Sequence, residues 1–146
     1  MSTHSELHLA ATALVDGRGA GTACVLTEPL NAWGGLDPAT GVIVHHSHPQ
    51  RDTDITGCVL VLEETRGSGT NAQVLAQTWA SGHGPAAVVL ARPDFVLCVG
   101  AVVGDELYGV RCPVVVVGEA EYRLLQSGSR VEVVADRGEG TVTISG

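Results

Sequence analysis

Aromatic residues are scarce in this chain: one Phe, two Trp and two Tyr, or 3% of 146 residues. The hydrophobic share is nonetheless 45%, so the core has to be built from Val, Leu, Ile and Ala. Basic residues are also few, 8 against 16 acidic, for a net charge of -8. That excludes the basic footprint of a nucleic-acid binder. The overall field repels anions, so any anion site has to be made locally, by an arginine or a helix N-terminus. No apolar run approaches the ~18 residues of a membrane span. Met1 to Leu9 is polar and lacks the apolar centre of a signal segment, so the chain reads as cytoplasmic. The four cysteines, Cys24, Cys58, Cys98 and Cys112, form no C-x-x-C pair and sit in or beside apolar runs. They read as buried free thiols, and no complete iron–sulfur or zinc site is expected within the chain.

The length fits a single domain over residues 1–146, large enough to bury a core without staples. Leu7 to Leu26 reads as two strands around Asp16-Gly17-Arg18-Gly19. A long Gly-, Pro- and His-rich loop, Thr27 to Pro49, is interrupted by the short apolar stretch Val42 to Val44. Long ordered loops are often functional. Cys58 to Leu62 is a strand buried on both faces. Val74, Leu75, Thr78 and Trp79 recur at helical spacing, with Thr70 and Gln73 as a capping box that starts the helix near Asn71. Gly82, Gly84 and Pro85 stop it, and Ala86 to Ala91 forms the next strand. Strand, helix and strand make a βαβ unit with parallel pairing. Phe95 to Val103 fits a strand or a short helix equally. Val114 to Val117 reads as a strand and Glu119 to Gln126 as a short helix with Tyr122 and Leu125 inward. Val131 to Val134 and Thr141 to Ile144 form a closing hairpin. The fold class is α/β with a β-rich core and two or three short helices.

The richest chemistry lies in Arg66-Gly67-Ser68-Gly69-Thr70, between a buried strand and a helix. Glycines let the backbone approach a ligand, and the helix start offers unpaired N–H groups with a partial positive charge. Arg66 adds a bidentate clamp for a carboxylate or phosphate. Ser68, about two residues before the cap, becomes a base only where its alkoxide is stabilised. The run is neither a P-loop, since no Lys follows the glycines, nor a G-x-S-x-G elbow. From pattern alone, a structural turn and an anion site both remain open. Trp33-Gly34-Gly35-Leu36-Asp37-Pro38 is either a surface loop anchored by Trp33, or a pocket wall or subunit contact. His45, His46 and His48 raise the question of metal. On a strand His46 and His48 would share a face and His45 would point away, with no acidic or Cys ligand nearby. A substrate or interface histidine, His48 above all, is the better reading.

Four ordered features resemble a known family. They are Glu28-Pro29-Leu30 leading into Trp33 to Gly41 and His48-Pro49; Arg66-Gly67-Ser68 after a strand; Gly84-Pro85-Ala86-Ala87; and Gly100 to Val103 before Tyr108-Gly109 and Cys112 to Val115. Together they resemble the small subunit, or swivel domain, of aconitase X. The resemblance implies a swivelling β/β/α fold and a hydro-lyase that removes water from a hydroxy acid. It implies an iron–sulfur cluster in a separate large subunit or domain, none in this chain, and a serine proton acceptor corresponding to Ser68. Arg66, Gly67, Gly69 and Thr70 then bind substrate, while Trp33, Gly34, Gly35, Asp37 and His48 form pocket or interface. Known substrates in the family are cis-3-hydroxy-L-proline, favoured here, and mevalonate 5-phosphate. The chain departs from the family at Thr65, where Gly is usual, at Gly69, where a second small polar residue is usual, and at His45 and His46, where an acidic residue is common.

The resulting expectation is a dehydratase subunit, inactive without its large subunit, that acts on a small anionic hydroxy acid. The rival readings are a non-catalytic anion-binding or regulatory module of the same fold, and a metal-binding module through His45, His46 and His48.

Overall fold

The structure, a computed structural model, describes residues 6–145. The expectations placed on Met1 to Leu9 and on the ends of the domain therefore fall partly outside the described residues. Two long strands open the chain, β1 (Glu6–Val15) and β2 (Gly17–Val25), with Asp16 between them. The long loop that follows holds α1 (Ala32–Gly35), β3 (Leu36–Asp37) and β4 (Val42–Ile43). α1 is a single distorted turn: Trp33 has extended ψ and Gly34 a φ of 77°. Next come β5 (Val59–Leu62), α2 (Thr70–Ala80), β6 (Ala87–Leu90), α3 (Phe95–Tyr108), β7 (Val114–Val116) and α4 (Glu119–Tyr122). β8 (Arg130–Asp136) and β9 (Glu139–Ser145) close the chain as the expected antiparallel hairpin.

Seven strands form a closed barrel in the order β1-β7-β6-β5-β2-β8-β9, so the main sheet leaves no unpaired edge. β1 and β2 do not pair with each other. They flank the closing hairpin instead, β1 against β9 and β2 against β8. β2, β5, β6 and β7 run parallel to one another, as the βαβ reading requires. Gly19 on β2 makes the closure possible, because a Cβ there would overlap the Ala86 carbonyl.

Strand alternation divides the apolar residues into two cores. Val59, Val61, Ala87, Val89, Val115, Val131, Val133 and Val142 fill the barrel. Leu60, Leu62, Val88, Leu90 and Val114 face outward, against Leu75 and Trp79 of α2 and Leu97 and Ala101 of α3. A small barrel interior suits Val and Ala, which is the physical sense of the missing rings. Tyr122 and Leu125 pack against the barrel core, inward as expected.

Several expectations change. The undecided Phe95 segment is a helix of 14 residues, α3, because Asp94 caps it by accepting from the Leu97 N–H at 3.0 Å. Four helices, not two or three, occur among the described residues, the added one being the single turn α1. α2 begins at Thr70 with Gly69 as its N-cap and makes no side-chain capping bond, so the Thr70–Gln73 box does not form. Among the described residues no helix is long and apolar enough to cross a membrane.

Candidate active site

Parallel strands deliver their following loops to one end of the sheet, where ligand sites of open α/β folds collect. Here β2 leads to Glu28 and Asn31, β5 to Arg66 and Ser68, and β6 to Asp94. The Arg66 N–H donates to the Leu30 carbonyl at 2.9 Å, and Leu30 bridges to Thr65 in parallel register. Asp94, 8% exposed, holds the other side: its Oδ2 accepts from the Thr65 N–H at 2.7 Å and from the Thr65 hydroxyl at 2.6 Å. Thr65 thus uses its side chain to tie the turn to the N-terminus of α3, which a glycine could not do.

Ser68 lies one residue before the cap of α2 and is exposed. Its Oγ donates to the Thr70 hydroxyl at 3.3 Å and accepts from the Thr70 N–H at 3.4 Å. The hydroxyl therefore sits against the first free amide of the helix, where partial positive charge favours an alkoxide. A depression of about 260 Å³ is lined by Ser68, Gly67, Thr70, Asn31, Trp33 and Asn71. Asn71 is 1% exposed; its Oδ1 accepts from the Trp33 N–H at 2.8 Å and its Nδ2 donates to the Arg66 carbonyl. Gly67, with a φ of +117°, packs on that amide, leaving no room for a Cβ.

Arg66 faces elsewhere. It lines a second cleft of about 220 Å³ with Glu28, Pro29, Asn31, His45, Ser47 and His48. Asn31 borders both hollows. All eight basic residues of the chain are arginines. Among the described residues six of them pair with a carboxylate within 4.0 Å and Arg66 does not, which leaves its guanidinium available.

Trp33 is 64% exposed and forms part of the wall beside Ser68. Gly34 is exposed and Gly35 is buried against His45. Asp37 accepts from the Ala39 N–H at 2.9 Å, a local turn bond away from both hollows. Gly69 borders neither hollow and lies on a groove between α2 and α3. The histidines do not follow strand geometry, because residues 45–48 form a turn: His45 and His46 stack with centroids 5.3 Å apart. His48 is buried; its Nδ1 accepts from the Gln50 N–H at 3.0 Å, so its Nε2 donates to the Glu28 carbonyl. Among the described residues no three His, Cys, Asp or Glu side chains gather as a metal site.

The sequence reading gives no site role to Asn31, Asn71, Asp94 or Glu28, although Glu28 stands in the first family motif. Asp94 alone carried a usable signal, an Asp directly before an apolar run, which marks a helix start. Asn71 read only as the first residue of a helix.

Residues 8–144 match the profile of the aconitase X swivel domain. A cis-3-hydroxy-L-proline dehydratase of Hypocrea jecorina is 32% identical over 86% of this chain, which spans only 21% of that enzyme. The phosphomevalonate dehydratase small subunit of Methanothermobacter thermautotrophicus is 32% identical over 84% of this chain and 90% of its own length. The crystal structure of Thermococcus kodakaraensis aconitase X in its holo form superposes with a TM-score of 0.80 at 27% identity, covering 93% of this chain and 98% of that one. On the profile match over residues 8–144 and the shared fold, the chain belongs to the aconitase X swivel-domain family.

Proposed function

We propose that this chain is the serine-bearing subunit of a hydro-lyase that dehydrates a small hydroxy acid and is completed by a large subunit. The observation that carries the reading is the Ser68 hydroxyl, set on a glycine turn at the first free amide of α2, with Arg66 in the neighbouring cleft. Ser68 as alkoxide takes the proton from the carbon beside the substrate carboxylate. The C–H pair becomes the new C=C bond as hydroxide leaves the adjacent carbon, so substrate loses one water. The α2 N-terminus stabilises the alkoxide, and Arg66 neutralises the carboxylate as charge builds on it.

One feature supports a partner: Ser68 and Trp33 are exposed here, while an alkoxide base needs a site closed to water. We place the cluster expected from the family with the large subunit. On substrate, Arg66 and Glu28 line one small cleft. That opposed pair suits a zwitterion such as cis-3-hydroxy-L-proline, whose carboxylate and ammonium each meet a counter-charge. It suits the phosphate of mevalonate 5-phosphate less well, because Glu28 repels it.

The test is reconstitution with the large subunit and an assay of both acids. Ser68→Ala should lower turnover by about 10²–10⁴-fold, the range of a lost general base, with assembly intact. Near-wild-type turnover in that variant would sink the assignment. A chain that purifies alone and titrates with small anions would favour the binding-module reading instead.

A further inference from the structure

Asn71 is a buried amide in the first turn of a helix, a placement that helix propensity does not favour. Its side chain spends nothing on its own helix. The Oδ1 atom takes the Trp33 N–H from the loop after β2, and the Nδ2 group gives its hydrogen to the Arg66 carbonyl after β5. The serine turn, five residues back, and the Trp33 loop, 38 residues back, therefore meet at one side chain. The next residue along the turn is Gly67, whose positive φ shows a backbone free of the usual limits. A glycine hinge immediately before Ser68 cannot by itself hold the hydroxyl in one place. The bonds between Thr70 and the hydroxyl, and from the Asn71 N–H to the Ser68 carbonyl, hold the helix side of the turn, and the Asn71 side chain packs on the hinge from the other side.

We infer that Asn71 is the positioning residue for Ser68, fixing the Arg66–Gly67 peptide and the Trp33 loop relative to each other. The inference rests on the proposed role of Ser68. It assigns Asn71 no contact with substrate.

Asn71→Asp in the reconstituted complex is the test. The variant keeps an acceptor for the Trp33 N–H but sets a carboxylate oxygen against the Arg66 carbonyl. Turnover should fall about 10²-fold, the effect of a misplacement near 1 Å, while KM moves less than about threefold because the Arg66 N–H keeps its bond to the Leu30 carbonyl beside the cleft. The ratio of variant to wild-type turnover should recover as pH falls towards about 4, where the introduced carboxyl regains a proton to donate. A purely structural residue would lower the melting temperature and leave turnover per folded molecule near that of the wild type. Ser68→Ala run alongside separates the failures. If that variant stays active, the reading of the site falls. If it is inactive while Asn71→Asp keeps wild-type turnover at all pH values, the positioning role alone falls. A measurement free of turnover and of variant folding is amide exchange of Trp33 in the full wild-type chain. Its side chain is exposed, so protection of the N–H reports the bond to Asn71. Slow exchange in the wild type, at least about tenfold faster in Asn71→Ala, is the expected result. An unprotected Trp33 amide in the wild type overturns the inference.

Discussion

Asp94→Ala should be among the most damaging single changes outside the two apolar cores. The carboxylate accepts three hydrogen bonds, from the Thr65 N–H, the Thr65 hydroxyl and the Leu97 N–H. Losing the cap of α3 costs about 1 kcal/mol. Stranding the half-buried Thr65 donors adds roughly 1–3 kcal/mol, less whatever water recovers. The sum is about 3 kcal/mol, equivalent to some 6–12 °C in melting temperature for a domain of this size. Urea unfolding should show a lower midpoint at unchanged slope, since the exposed surface of the unfolded chain is the same. Thr65→Val removes only the hydroxyl and should cost about 1 kcal/mol. The double variant should cost less than the sum of the singles, with a coupling of about 1 kcal/mol. A loss below about 1 kcal/mol in Asp94→Ala, or strict additivity with Thr65→Val, would refute the view that this carboxylate clamps the serine turn to α3.

The two tryptophans should respond oppositely: Trp79→Ala, buried between the helices and the sheet with its indole N–H on the Pro85 carbonyl, should cost about 3–5 kcal/mol in urea unfolding. Trp33→Ala should leave the isolated chain within about 0.5 kcal/mol of wild type, because its ring is largely in water. Alkaline pH should weaken the fold. Burial, with the Asp94 charge second, lifts the Cys98 thiol to about 11. Burial, with Glu63 second, lifts Tyr122 to about 12. Burial also raises Cys112, and a hydrogen bond with Cys24 followed by burial raises Cys58. Cys24 runs the other way, its thiolate favoured by the Cys58 thiol. For the raised groups the unfolded chain binds fewer protons above the ordinary thiol value of 9.0, so their stabilisation is complete below that pH and is lost towards 11. Melting temperature should fall between about pH 9 and 11; a flat profile there would show that these groups are not held protonated by the fold.

Composition and spacing determined a good deal without coordinates. Val59 to Leu62 and Ala87 to Leu90 are apolar at every position, as strands covered on both faces are. The helix between them then forces parallel pairing. The shortage of rings announced a core of Val, Leu and Ala, and the ordered motifs led to the family before any geometry. Arg66-Gly67-Ser68 stood out because glycines beside a helix start are local features of the chain.

Tertiary structure decided the rest, because it depends on residues far apart. Nothing local tells β1 and β2 to part and flank the β8–β9 hairpin; barrel closure sets that. The identity of Phe95 to Val103 hung on one capping carboxylate, which also reaches back 29 residues to Thr65. Periodicity assigned His46 and His48 to one face, but a turn replaced the strand and stacked His45 on His46 instead. The serine turn changed most. Sequence placed Arg66 and Ser68 together as one site, two residues apart. The fold turns their side chains into neighbouring hollows and sets Asn71, an unremarked helix residue, at the point where the turn, the Trp33 loop and the helix meet. Adjacency in sequence is given by covalent bonds, whereas the direction a side chain takes from a glycine turn is given by whatever packs against it.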